Sequence, residues 1–157
     1  MSIEKVREYL DRYGLADRII EFDTSSATVE LAAKALGTEG ARIAKSISLE
    51  QGDGCIIVVC AGDYKIDNRK FKDKFGFKPK MLAPDGALEL TGHAVGGVCP
   101  FALPAGVEVY LDQSMKRFDT VYPAAGTASS AVRLSCEELF LASGALEWVD
   151  VCKMREE

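Results

Sequence analysis

The chain has 157 residues, 19 Lys and Arg against 24 Asp and Glu, a formal net charge of −5 and a single histidine. At 48% hydrophobic, with seven Phe, five Tyr and one Trp, it can bury a core unaided, which argues against disorder and against a solenoid array. A negative total also argues against a surface that coats nucleic acid, because phosphate binding relies on Lys and Arg releasing counterions, but it leaves room for a local basic patch.

No run approaches the roughly 18 apolar residues of a membrane span, and the opening MSIEKVREYL lacks the basic-then-apolar order of a signal peptide. A cytosolic location without a membrane partner is expected. The five cysteines (55, 60, 99, 136, 152) are odd in number and form no CxxC pair, which fits free thiols in a reducing compartment. With His93 alone, a multi-histidine metal site is impossible, and any Ser or Cys triad depends on that residue. No metal and no cofactor are expected.

Ser2 can cap a helix that carries Ile3, Val6, Leu10 and Tyr13 on one stripe and stops at Gly14. Ile19 to Phe22 reads as a short strand, and residues 23–26 as a polar turn. Thr28 caps a second helix, VELAAKAL, ended by Gly37. Residues 42–50, RIAKSISLE, alternate with period two and place Lys45 on the same face as Ile43, Ile47 and Leu49. After a turn at 51–54, CIIVVCA (55–61) is the nearly continuous apolar run of a central strand, paired antiparallel with its predecessor.

A short helix is expected over 67–75 and another over 85–90, followed by a structured loop, TGHAVGGVCPFALP, from Thr91 to Pro104. Strands follow at 107–112, 120–124 and 131–134. Ser135 and Glu138 form a capping box opening a helix to about residue 143, and 148–151 reads as a last strand. The whole predicts a single domain over 1–157, a mixed α/β fold with a largely antiparallel sheet and flanking helices.

Three features could carry chemistry. Lys45, on an apolar face, must snorkel to water or accept partial burial beside an anion; as an edge-strand lysine it would simply discourage aggregation. Gly96-Gly97 can turn successive backbone N–H groups toward one point and form an oxyanion or anion nest stiffened by Pro100, or can serve a tight connection. Residues 64–80 carry seven basic residues against two acids, with Tyr64, Phe71, Phe75 and Phe77 interleaved. That pattern suits phosphate contacts with base stacking, and equally a helix with a solvated basic face and buried phenylalanines. Cys99 and His93 share the glycine loop and could form a nucleophile and base, although no acid accompanies them. Asp112 ends a strand, where capping is the ordinary role.

Taken in order, Gly40 to Ser46, Ala61-Gly62-Asp63, Thr91-Gly92, Gly96 through Phe101, Asp112 and Ala125-Gly126 resemble the YbaK family, which includes the editing domain inserted in bacterial prolyl-tRNA synthetase and its free-standing relatives. The resemblance runs from about residue 20 to 150. It implies an aminoacyl-tRNA deacylase acting in trans on the ester at the tRNA 3′ adenosine, with no protein nucleophile required. It places the family's lysine at Lys45 and its Gly-x-x-x-Pro loop at Gly96, Gly97, Val98, Cys99 and Pro100, with no assigned role for Cys99.

On this reading Lys45 and the loop at Gly96, Gly97, Val98 and Pro100 form the catalytic set. Thr24, Ile43, His93, Cys99, Phe101 and Asp112 are candidate substrate contacts. Lys65, Arg69, Lys70, Lys72 and Lys74 are candidate tRNA contacts. The implied partners are the aminoacyl-tRNA 3′ end and a synthetase, with no DNA; family members handle cysteinyl, alanyl, seryl and other small groups.

Overall fold

The structure, a computed structural model, describes residues 2–23, 28–94 and 96–155. Helix α1 (Ser2–Asp11) starts at Ser2 itself and packs Val6 and Leu10 into the core; Gly14 beyond it sits at φ +71°. Strand β1 (Ile19–Glu21) leads to residues 24–27, outside the described set, so the expected turn there and the Thr24 contact lie outside it too. Helix α2 (Val29–Leu36) is capped as expected: the Thr28 side chain accepts from the Leu31 amide, and Gly37 closes the helix in the left-handed conformation.

Strands β2 (Ile43–Gln51) and β3 (Gly54–Ala61) form an antiparallel ladder around a two-residue turn, with Gly52 at φ +59°. Two short elements absent from the sequence reading complete the edge, β4 (Tyr64–Ile66) here and its antiparallel partner near the C-terminus. Helices α3 (Asn68–Phe75, capped by the Asp67 carboxylate) and α4 (Pro84–Thr91) follow. Then come β5 (Glu108–Asp112), β6 (Thr120–Pro123), β7 (Ser130–Val132), β8 (Leu134–Ser135), α5 (Cys136–Ser143), β9 (Glu147–Val149) and β10 (Cys152–Met154). The expected capping box at Ser135 and Glu138 is formed in both directions. The expected strand over 131–134 is divided between β7 and β8.

The main sheet runs β8-β6-β2-β3-β5-β9, with two-stranded sheets β1-β7 and β10-β4 at its margins. Four of the seven strand pairings are antiparallel, and three within the main sheet are parallel. Period-two alternation decides which core each residue joins. Ile57, Val59 and Ala61 face α1 and α5, whereas Leu49, Ile56, Val58 and Cys60 face Phe71 of α3.

Two glycines hold backbones in contact. A Cβ on Gly62 would strike the Gly40 carbonyl oxygen and come within 2.8 Å of Val29; one on Gly97 would lie 2.6 Å from the Gly126 carbonyl oxygen and 2.7 Å from Thr127 Cα. All four glycines belong to the segments that carry the sequence resemblance. Gly62→Ala is expected to cost about 1–3 kcal/mol by overpacking, measured by urea unfolding, whereas Gly54→Ala, whose Cβ would meet nothing closer than 3.8 Å, should unfold at close to the wild-type midpoint.

Candidate active site

Strand β2 is paired by β3 from Ala44 to Gln51, but among the described residues its other edge is paired only at its ends. Ile43 and Ala44 pair with β6. At the far end the Glu50 amide donates to Lys80 O (2.8 Å) and the Leu82 amide to Ser48 O (3.1 Å), with Leu49 opposite Met81. Alternation along the strand turns the N–H and C=O of Ser46 to this same edge. The register that sets Met81 opposite Leu49 would set residue 84 opposite Ser46. That residue is Pro84, which has no N–H to offer and starts α4 instead.

The gap opens a cavity of about 740 Å³ that wraps the free edge of β2. Lys45, Ile47 and Leu49 line it from one face, and Ala44, Ser46 and Ser48 from the other. Gly96, at φ +87°, and Val98 contribute the glycine loop, and Ala124, Ser130 and Ala131 add small side chains beside it.

Lys45 is half-buried and sits directly opposite Cys60 in the β2–β3 register. Burial pushes its pKa down; the Arg155 guanidinium acts in the same direction, while Cys60, Cys152 and Glu30 oppose it. No carboxylate forms an ion pair with it among the described residues, and Glu30, the carboxylate whose field reaches it, is held by Arg155 at 3.3 Å. A partly desolvated ammonium without a fixed counter-ion is suited to an anionic or carbonyl ligand.

Sequence context gives Ser46 no distinguishing mark. Its Oγ is buried without a hydrogen-bond partner, the one such side-chain atom among the described residues. An orphan hydroxyl of this kind costs stability, so a polar ligand group is a natural partner. Nothing in an alternating strand marks Ser46 over Ser48; only the missing ladder partner does.

The remaining candidates separate into wall and support. Ile43 lines the cavity, whereas Gly97, Pro100, His93, Cys99, Phe101 and Asp112 are buried and do not. The Gly97 amide donates to Ala94 O at 2.9 Å, so the loop's candidate donors to a ligand are the amides of Gly96 and Val98 rather than that of Gly97. Asp112 accepts from the Ser114 and Val151 amides, both at 2.9 Å, which makes it a cap and tether.

Cys99 and His93 do meet, with Sγ 3.5 Å from Nε2, but the same Nε2 lies 2.8 Å from Phe101 O. A carbonyl only accepts, so that nitrogen carries the proton and cannot act as a base toward the thiol. Burial raises the Cys99 pKa to about 12 and lowers that of His93. A protonated thiol sealed in the core is not a nucleophile.

The basic candidates are exposed. Lys65 lines the cavity; Arg69, Lys70, Lys72 and Lys74 lie on α3 beyond it, Lys70 paired with Asp150 at 3.0 Å and Lys74 with Glu147 at 2.7 Å. The interleaved rings do not offer a stacking platform. Phe71 is fully buried, with Phe75 and Phe77 packed on it at 4.6 and 5.4 Å, and Tyr64 is covered by Arg117. The three phenylalanines anchor α3 to the sheet, and the lysines cover its outer face.

The chain matches the family model described as an aminoacyl-tRNA editing domain over residues 23–141, and it belongs to that family. It is 51% identical over 154 residues, 98% of each chain, to the uncharacterized protein YwhH of Bacillus subtilis (strain 168). A further likeness, 30% over 90 residues, is to a proline–tRNA ligase of Lysinibacillus sphaericus (strain C3-41), of which the chain spans 16%. Among solved structures, a candidate trans-editing enzyme for prolyl-tRNA synthetase superposes with a TM-score of 0.87 at 28% identity, covering 97% of both chains. Among the described residues no helix is long and apolar enough to cross a membrane.

Cysteine reactivity checks the reading of Cys99. Iodoacetamide on the native protein should modify the half-exposed Cys136 first, identified by peptide mapping, and leave Cys99 untouched. Early modification of Cys99 would return it to consideration as a nucleophile.

Proposed function

We propose that the protein is a trans-acting deacylase that hydrolyses the ester of a small aminoacyl group, cysteinyl, alanyl or similar, on the 3′ end of a mischarged tRNA, with tRNA for proline as the first candidate. The observation that carries this reading is the half-buried Lys45, without an ion pair among the described residues, in one cavity with the Gly96 and Val98 loop. The family supplies the reaction class, and the names of the ligase and the trans-editing neighbour point to proline.

Ester hydrolysis concentrates negative charge on the carbonyl oxygen as the attacking oxygen adds. In this reading the amides of Gly96 and Val98 stabilise that oxygen, and the Lys45 ammonium holds the terminal phosphate or the carbonyl region. A water attacks the carbonyl carbon; where a ribose hydroxyl or the substrate's own side chain attacks first, it forms a migrated ester or a cyclic product that a water must then open. The bond to the ribose oxygen then breaks, and that oxygen leaves with a proton. Small residues on the loop side, among them Ala124 and Ala131, leave room for a compact aminoacyl group beside the Ser46 hydroxyl. Contact with a synthetase belongs to the same proposal, as a way of selecting the tRNA.

Lys45→Met should abolish deacylation of a panel of cysteinyl-, alanyl- and seryl-tRNA for proline while the fold survives; wild-type turnover in this variant would remove Lys45 from the mechanism. Binding of these tRNAs by the wild type without turnover would show a recognition module instead. The stability effect has a defined sign. Lys45 has its pKa lowered in the fold, so below that value it is charged in both states and its desolvation opposes folding. As pH climbs from the lowered value to the unfolded one, the cost is relieved. Lys45→Met should therefore be more stable than wild type at neutral pH, with the gap closing as pH rises, as read from urea midpoints.

Ser46→Ala removes the orphan hydroxyl. Its melting temperature should equal or exceed that of wild type, while deacylation falls by about tenfold, the value of one hydrogen bond. A loss of stability together with unchanged activity would make Ser46 structural.

A further inference from the structure

Glu30 stands in the first turn of α2, directly after Thr28 and Val29, which line the cavity together with Lys45. A carboxylate at that position is the natural counter-ion for a half-buried ammonium, and its field does reach Lys45. No ion pair joins the two among the described residues, because the carboxylate is engaged elsewhere: Arg155 Nη2 donates to Glu30 Oε1 at 3.3 Å.

Arg155 immediately follows β10, and main-chain groups fix its place. Its amide donates to Asp63 O at 2.8 Å and its Nη1 to Gly62 O at 3.2 Å. Gly62 is the glycine whose missing Cβ admits the Gly40 carbonyl and Val29. The guanidinium is therefore anchored on the same close contact that seats α2 against the turn after β3, within reach of Glu30. An exposed ion pair is weak by itself; here the main chain holds the cation, and the pair has only to orient the carboxylate. Asp63, in the same turn, is occupied as well, by Arg117 at 2.6 and 3.0 Å.

We propose that Arg155 is a positioning residue of the candidate site: by holding Glu30 it keeps the α2 carboxylate off Lys45 and leaves the ammonium open to an incoming anion or carbonyl. This rests on the deacylase reading and adds the reason why Lys45 stays without a counter-ion. Once Arg155 is removed, Glu30 competes with the substrate for Lys45. The loss then falls on substrate binding and not on the chemical step. The charges that reach Lys45 respond in a defined direction. Arg155 lowers its pKa, while Glu30, Cys60 on β3 and Cys152 on β10 oppose that effect. Removing Arg155 raises it twice over, through lost repulsion and a new attraction.

The test reads deacylation of the cysteinyl-, alanyl- and seryl-tRNA panel and, independently of activity, the NMR titration of the Lys45 ε-methylene, assigned by its loss in Lys45→Met. Arg155→Met should raise KM about fivefold with kcat unchanged, the worth of one exposed ion pair, and move the Lys45 titration to higher pH. Glu30→Gln alone should keep the wild-type KM or lower it, and move the titration to lower pH. The double variant Glu30→Gln/Arg155→Met should return KM to near the wild-type value, a rescue that neither a structural role for Arg155 nor its direct contact with the tRNA would allow.

A wild-type KM or an unmoved Lys45 titration in Arg155→Met, or a KM raised equally in the single and double variants, would overturn the positioning role and leave the deacylase reading intact. The expected titration shifts in a protein whose wild type hydrolyses none of the panel would overturn the deacylase reading instead and leave the charge arrangement in place.

Discussion

The uneven pairing of β2 is the constraint on which the rest of the molecule turns. One edge is sealed by an eight-pair ladder to β3, which places β2 deep in the sheet and fixes which residues face α3 and which face the glycine loop. Among the described residues, the other edge is satisfied only where β6 and the segment before α4 reach it. Leaving backbone groups unpaired in a protein interior is costly, and native folds avoid it except where a ligand or water completes the set. Among the described residues, the stretch left without a ladder partner coincides with the half-buried lysine, the orphan hydroxyl and the cavity of about 740 Å³.

Electrostatics follow from this geometry. A lysine on a strand between two packed faces must lose part of its hydration, and the surroundings offer it thiols and a distant carboxylate already engaged by Arg155, with no dedicated partner. The net charge of −5 is compatible with an RNA substrate because it is unevenly spread: residues 64–80 carry +5 against −10 elsewhere. Ion pairs at Lys70, Lys74 and Lys80 neutralise part of that basic stretch. Exposed pairs of this kind are weak and exchange readily with a phosphate.

Much of this was legible in the sequence. Thr28 and Gly37 bound α2, Ser135 and Glu138 start α5, and the alternation across 42–50 assigns Lys45 to the correct face, because caps and period-two patterns are local signals. The short strands β4 and β10 were not legible; each is a single apolar–Lys–apolar triplet, too short to establish a period, and each exists because the other is there to pair with. The phenylalanines of α3 could be read either as stacking rings or as core, and only packing against Tyr110 and the sheet decides for core. The contact between Cys99 and His93 is visible in the sequence as nearness, but the tautomer and burial that make it inert depend on Phe101 O, which tertiary folding brings to the ring. The open main-chain edge at Ser46 follows from the N–H that Pro84 lacks, and no local pattern records it or the burial that leaves the Ser46 Oγ without a partner among the described residues.

The close approach of Gly97 to the Gly126–Thr127 backbone couples two loops that meet no ligand group of each other's making. Val98, in the cavity wall, follows directly on Gly97, and Ser130, also in the wall, follows closely on Thr127, to which its hydroxyl is bonded. The two sides of the small-residue half are thus clamped at fixed separation by main-chain atoms, without side chains between them to relax. Its width is therefore inherited from the backbone, and can be altered from the 125–127 turn without changing any residue that lines it.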